Sequence, residues 1–283
     1  MSSRQDRGND VISKAGRENF PVALRVLPRR HREHLWAVYG FARFVDDIGD
    51  EAEPADRLRL LNAVDSDLLR LYAGSTPRLP AVGGLARAVE TCVIPAEPFH
   101  RLVEANRRDQ TVTRYDTFDD LLGYCELSAN PVGHIVLHVF GMAAPHRLSL
   151  SDRVCSALQI IEHCQDVGED YRRGRVYLPG KDLRESNCEE GDLAGGVTSA
   201  GLRRVVSLQV ARAARLLEDG RPLVGSLTGY ARMAVAGYIA GGQATVTALE
   251  RSAHDVLGQA VRPGRGRWLA AWLQVLSARQ TTR

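Results

Sequence analysis

The chain has 283 residues, 44% hydrophobic and 25% charged, the balance of an ordinary soluble globular protein and enough for one large domain or two small ones. Its net charge of +3 is too small at this length to point to nucleic acid, and the basic residues, almost all arginine, are spread along it. No run of about 18 apolar residues marks a transmembrane helix, and the polar opening M-S-S-R-Q-D-R-G-N-D lacks a signal-peptide core.

Residues 1–15 read as a disordered or loosely attached tail, and 16–283 as one domain. Glu18-Asn19-Phe20-Pro21 is turn-like, and a short helix starting at Val22-Ala23-Leu24 is broken by Leu27-Pro28. A strongly apolar helix is expected over about 31–48, stopping at Gly49-Asp50-Glu51 and delivering Arg43, Asp46, Asp47 and Asp50 at its far end. Charges at the end of a buried helix need partners, because desolvating them alone costs several kcal/mol each. Leu58, Leu61, Val64, Leu68 and Leu71 mark an amphipathic helix that ends near Gly74.

Shorter helices follow over 85–93 and 99–108. Thr117 is placed to cap a long helical region over 118–142, which Pro131 should kink. The next helix spans 149–170, then 171–179 forms a basic loop and 180–196 is irregular. Ala-rich helices over 202–217 and 230–249 and a last one over 268–276 complete the chain. No alternating strand pattern appears, so the fold is all-α, with helices around a central cavity.

The chemistry is concentrated in two acidic stretches. In F-V-D-D-I-G-D-E, Asp46 and Asp50 are four apart, as are Asp47 and Glu51; in D-V-G-E-D, so are Asp166 and Asp170. Carboxylates at i and i+4 share a helical face, where like charges repel unless a cation lies between them. A lone pair of this kind is more often a solvated helix end. Two pairs suggest hard cations, Mg²⁺ above all, holding a polyanion. Arg43 and the Arg172, Arg173 and Arg175 cluster supply guanidinium forks for phosphate oxygens. Phe20, Phe41, Ile135, Val136 and Leu137 give apolar walls, mostly core. Tyr39, Tyr124 and Tyr238 are polar tips in apolar stretches, suited to orient a diphosphate or face a developing cation. His134, His138 and His163 lack a matched ligand set and read as structural. Cys92, Cys125, Cys155, Cys164 and Cys188, without C-x-x-C spacing, read as buried thiols of a reducing, cytoplasmic compartment.

Three ordered motifs, Y-G-F-A-R-F-V-D-D-I-G-D-E, Y-C-E-L-S-A-N-P-V-G and D-V-G-E-D-Y-R-R-G-R-V-Y-L-P, resemble the signature segments of the squalene and phytoene synthases. The resemblance implies a single-domain isoprenoid-synthase fold with two acidic motifs facing across a cavity. On that match Asp46, Asp50, Asp166 and Asp170 hold a cluster of two or three Mg²⁺ ions. Tyr39, Arg43 and Arg175 fall at diphosphate positions, with Phe20 at the edge of that subsite. Tyr124 falls near the reacting carbocation, and Tyr238 on the late helix of the site. Many relatives carry Asn where this chain has Glu162, which keeps an oxygen ligand and adds charge; the usual serines near Phe20 are missing.

These departures, with A-N-P-V-G, look most like the bacterial hopanoid-pathway branch of hydroxysqualene synthases. That implies Mg-dependent ionisation of presqualene diphosphate, rearrangement, and water quench, with Tyr124, Glu126 or Asn130 positioning the water. No NADPH is expected, since no dinucleotide fingerprint follows a strand. Partners are then the prenyl diphosphate and pathway enzymes upstream and downstream, with loose contact at the inner face of the membrane. The competing readings are head-to-head condensation of two farnesyl diphosphates, and a non-catalytic assembly factor, which should have lost members of the acidic pairs.

Overall fold

The computed structural model describes residues 26–258, 261 and 264–277, and within them the chain is helical with no strand beyond one isolated bridge between Arg114 and Val176. The helices are α1 (Arg29–Glu51), α2 (Pro54–Tyr72), α3 (Pro80–Gly83), α4 (Ala86–Cys92), α5 (Glu97–Arg108), α6 (Phe118–Ser128) and α7 (Asn130–Val139). Then come α8 (Pro145–Gln165), α9 (Val167–Arg172), α10 (Gly180–Glu185), α11 (Ala200–Gly220), α12 (Pro222–Ser226), α13 (Gly229–Arg251) and α14 (Arg265–Ser277). One apolar core runs from Leu27 to Val275, and α8 lies at its centre, packed on α6, α7, α11 and α13. The opening Glu18-Asn19-Phe20-Pro21, including Phe20 as a diphosphate-side residue, lies outside the described residues.

Four expectations need correction. α1 continues through Gly49 to Glu51, so Asp50 is helical rather than in a terminating turn. The long region after Thr117 is two helices, not one kinked helix, because Pro131 has no N–H to donate to the carbonyl four residues back and its ring crowds that turn. The break is at Ala129 (φ −112°, ψ −48°), and Pro131 sits in the first turn of α7. The helix carrying the second acidic pair starts earlier, at Pro145, and is interrupted at Asp166 (φ −100°, ψ 14°). The irregular stretch 180–196 contains α10 and a 3₁₀ turn over Glu190–Ala194. Thr117 caps α6 as its side chain predicts: its Oγ1 accepts from Asp120 N at 3.1 Å, and Asp120 Oδ2 accepts from Thr117 N at 2.9 Å.

Close packing of α7 on α8 depends on Gly133. A Cβ there would lie 2.2 Å from Ser151 Oγ and 2.5 Å from Cys155 Sγ, inside any real contact distance. The five cysteines are unpaired, and no helix among the described residues is long and apolar enough to cross a membrane.

Candidate active site

α1 buries Leu35, Val38, Phe41, Val45 and Ile48. Beside that stripe Tyr39, Arg43, Asp46 and Asp50 follow at spacings of four, three and four, one helical face that borders a cavity of about 380 Å³. α8 and its continuation bring Glu162, Asp166 and Asp170 to the same cavity, and Tyr124, Tyr238 and Arg175 also line it. Tyr39, Arg43, Asp46, Asp50, Tyr124, Glu162, Asp166, Asp170, Arg175 and Tyr238 therefore meet in one place.

Others separate. Asp47 and Glu51 do not line the cavity; Asp47 instead takes Arg43 Nη2 at 2.9 Å. Glu126 is exposed, and Asn130 is buried with its Oδ1 accepting from Ser156 Oγ at 3.0 Å, so neither borders the cavity and Tyr124 alone of the three does. Phe41 and Ile135 are core, whereas Val136 and Leu137 face the cavity. Arg172 is exposed and off the lining, while Arg173 and Arg175 are on it.

Guanidinium groups that follow the second acidic pair reach the first. Arg175 Nη1 lies 2.7 Å from Asp50 Oδ1, and Arg173 Nη1 lies 3.4 Å from Asp50 Oδ2. Burial by itself would lower the Arg175 pKa, but Tyr177, Asp109 and Asp50 around it outweigh that and raise it, so the guanidinium is firmly charged. Burial pushes the Asp46 carboxyl up to about 6, against the opposing pull of Asn106, which donates from Nδ2 at 3.1 Å, and of Arg43. Gly49 makes that contact feasible: a Cβ on it would fall 2.2 Å from Asn106 Oδ1. A carboxylate held this far above its ordinary range, with further acids beside it, is a group short of positive charge.

Sequence reading missed a second layer. Asp109, the residue after α5, accepts from Tyr124 Oη at 2.7 Å and from Tyr177 Oη at 3.2 Å, and borders the cavity. Burial raises its pKa, while Tyr124 chiefly and then Arg175 restrain the rise. His163, read from sequence as structural, stacks on Tyr177 with ring centres 3.8 Å apart, and its Nδ1 stands 3.6 Å from Asp170 Oδ2. Tyr115 completes the aromatic cluster, 5.3 Å from the Tyr124 ring. Tyr177 reaches the site because its loop is stitched to the stretch after α5: Val176 N donates to Thr113 O at 2.9 Å and Gly180 N to Tyr115 O at 2.9 Å.

The donor set fits Mg²⁺ bound with a diphosphate better than Mg²⁺ bound by protein alone. Among the described residues no three His, Cys, Asp or Glu groups converge to enclose an ion. Mg²⁺ keeps several waters and takes one or two carboxylates, completing its shell with phosphate oxygens. Paired carboxylates spread around a rim suit that demand.

Along α1 the lining changes from Leu35 to Asp50, and along α8 from Val154 and Leu158 to Glu162. Leu35 and Asp50 are fifteen residues apart, about 22 Å of helix. The cavity is thus apolar where these two helices begin and acidic where they end.

The sequence pattern described as squalene/phytoene synthase matches residues 13–268. A hydroxysqualene synthase of Rhodopseudomonas palustris is 36% identical over 216 residues, 75% of this chain and 72% of that protein. The crystal structure of squalene synthase HpnC from Alicyclobacillus acidocaldarius superposes with a TM-score of 0.76 at 40% identity, covering 81% of this chain and 86% of that one. A dehydrosqualene synthase solved with a ligand shares the fold, with a TM-score of 0.84 at 22% identity over 96% of this chain and 97% of that one.

Proposed function

The chain belongs to the squalene/phytoene synthase family of isoprenoid-synthesis enzymes, which act on prenyl diphosphates, and from that premise we propose that it converts presqualene diphosphate to hydroxysqualene. The observation that carries the reading is the single cavity with carboxylates and arginines at one end and apolar walls at the other. An amphiphile with a diphosphate head and a hydrocarbon body matches both ends. The similarity to proteins named hydroxysqualene synthase supports this choice of reaction.

In the proposed step the carbon–oxygen bond to diphosphate breaks and the leaving group takes the electron pair. The cyclopropylcarbinyl cation rearranges, a water oxygen forms the new carbon–oxygen bond, and one proton is released. Arg43 and Arg175 hold the head group, Arg175 turning from Asp50 to the more highly charged diphosphate. Asp46, Asp50, Asp166, Asp170 and Glu162 would hold Mg²⁺, which neutralises the departing diphosphate.

The Tyr124 O–H points at Asp109 as a hydrogen-bond donor, so the lone pairs of its oxygen and its ring present electron density to a cation. Asp109, its pKa raised by burial, is the stronger proton acceptor for that reason, and in the proposed step it takes the proton that the water releases through Tyr124. The apolar walls keep other waters from the cation.

The test is to incubate purified protein and Mg²⁺ separately with presqualene diphosphate and with farnesyl diphosphate. Hydroxysqualene from presqualene diphosphate alone is the expected result. Turnover of farnesyl diphosphate alone would overturn the assignment in favour of head-to-head condensation.

A further inference from the structure

Away from the acidic end of α1, the surface carries exposed apolar side chains that do not line the cavity. Val93 is 77% exposed and its backbone is left-handed (φ 51°), a conformation that a β-branched residue adopts rarely. Val26 is 55% exposed and Tyr230 44%. On α14, Trp268 and Trp272 turn to α13, donating to Gly237 O and Met233 O at 3.2 and 3.0 Å. Leu269 and Leu273, one turn apart on α14, are 46% and 58% exposed.

These groups gather around the first turns of α1. The Tyr230 ring lies 6.2 Å from His31, and His31 stacks on Phe140 at 5.2 Å. Arg232, two residues after Tyr230, donates to Leu276 O at 2.9 Å and so places the C-terminal half of α14 alongside. Cys92, next to Val93, is within 3.9 Å of Val139 O, next to Phe140. Arg29, Arg30 and Arg87 are exposed here. Against them stand exposed Glu90 and Glu33, the latter bridged by Arg29 at 2.7 Å and Arg87 at 4.0 Å.

The same three helices frame the apolar end of the cavity. Leu35, Val136 and Val235 line it, and four or five residues beyond them come His31, Phe140 and Tyr230, a ring cluster between the cavity and this surface. We propose that this surface docks on an anionic lipid bilayer, with Val93, Leu269 and Leu273 entering the interface and Arg29, Arg30 and Arg87 meeting the head groups. The apolar end of the cavity then faces lipid across the His31–Phe140–Tyr230 cluster. Passage of hydrocarbon there rests on the proposed function; docking does not, and its test needs no turnover.

The full chain is floated with phosphatidylcholine vesicles, with and without phosphatidylglycerol. Partitioning about tenfold stronger onto the anionic vesicles, and weakened by salt, is expected. Leu269→Ser with Leu273→Ser, and separately Arg30→Gln with Arg87→Gln, should each lower it about tenfold. Val93→Gly tests the loop without refolding risk, since glycine relieves the backbone while removing the apolar side chain: partitioning falls as thermal stability holds or rises. None of these residues lines the cavity, so turnover in detergent micelles stays at the wild-type level in every variant. Equal, weak partitioning onto both vesicles, or variants that bind as well as wild type, would overturn the proposal. So would light scattering that shows a dimer dissolved by the two leucine changes, because a second copy would then own the patch.

Discussion

Tyr124 Oη donates to Asp109 Oδ2 at 2.7 Å, and Tyr177 gives its own proton to the other oxygen of the same carboxylate at 3.2 Å. Two phenols from different parts of the chain thus share one buried acid, and the acid fixes both rings at the cavity wall. Tyr124→Phe leaves Asp109 with one donor fewer and should cost about 1–3 kcal/mol of stability at neutral pH, read from thermal unfolding. Asp109→Asn keeps the shape but removes the charge; a fall in turnover of about a hundredfold or more is expected, measured as hydroxysqualene formed.

The Asp46 carboxyl gives a pH-dependent prediction with a definite sign. Its ordinary pKa is 3.8 and burial raises it to about 6. Below pH 3.8 the group is neutral in both folded and unfolded chains and costs nothing. Between 3.8 and 6 the unfolded chain ionises first and stability falls; above 6 the full penalty stands. In chelator, Asp46→Asn should be more stable than wild type by about 1–3 kcal/mol at pH 8, with the gain vanishing near pH 4. The same variant should be inactive. Equal melting temperatures across that range would show that the carboxylate is not strained without a cation.

Gly49 and Gly40 lie on one helix in opposite situations. Gly49→Ala drives a Cβ to 2.2 Å from Asn106 Oδ1 and must push the amide off Asp46, whereas nothing lies within 4 Å of a Cβ on Gly40. Gly49→Ala should destabilise by about 1–3 kcal/mol, while Gly40→Ala should stabilise by about 0.5–1 kcal/mol through helix propensity. Chemical denaturation of both variants decides this.

Among the arginines that follow the second acidic pair, only position on the cavity should matter. Arg175→Gln is expected to weaken inhibition by inorganic diphosphate at least about tenfold, the loss of one charged fork. Arg172→Gln, exposed and off the lining, should stay within about twofold. Equal effects would place the diphosphate elsewhere.

Glu162→Asn tests the third carboxylate. It keeps an oxygen donor and removes a charge, so activity should survive while half-saturation shifts to about severalfold higher Mg²⁺. An unchanged Mg²⁺ dependence would remove Glu162 from the metal side.

The acidic pairs were readable in advance because helical spacing alone puts Asp46 with Asp50 and Asp166 with Asp170, and Pro131 announced a disturbance in the region after Thr117. Asp109, Tyr177 and His163 were not. Asp109 stands just past the end of α5 and Tyr177 in a loop, where no periodicity assigns a side chain to a face, and His163 sits among apolar neighbours as a core histidine would. Their meeting depends on the hydrogen bonds that tie Val176 and Gly180 to the segment after α5, pairings over more than sixty residues that no local pattern encodes. The break at Asp166 has no proline to mark it. The continuation of α1 through Gly49 was hidden for the opposite reason: glycine reads locally as a stop, and only Asn106, from another helix, shows why it is there.

The ion pair between Asp50 and Arg175 spans 125 residues of sequence. Arg175 and Tyr177 leave the site together if the loop after α9 lifts from the stretch after α5, and Val176, Tyr177 and Leu178 leave the apolar core with them. Warming should therefore extinguish catalysis together with the packing of the core, and half of the chain, however well folded, should have no activity at all. The enzyme reports on the completeness of its own folding.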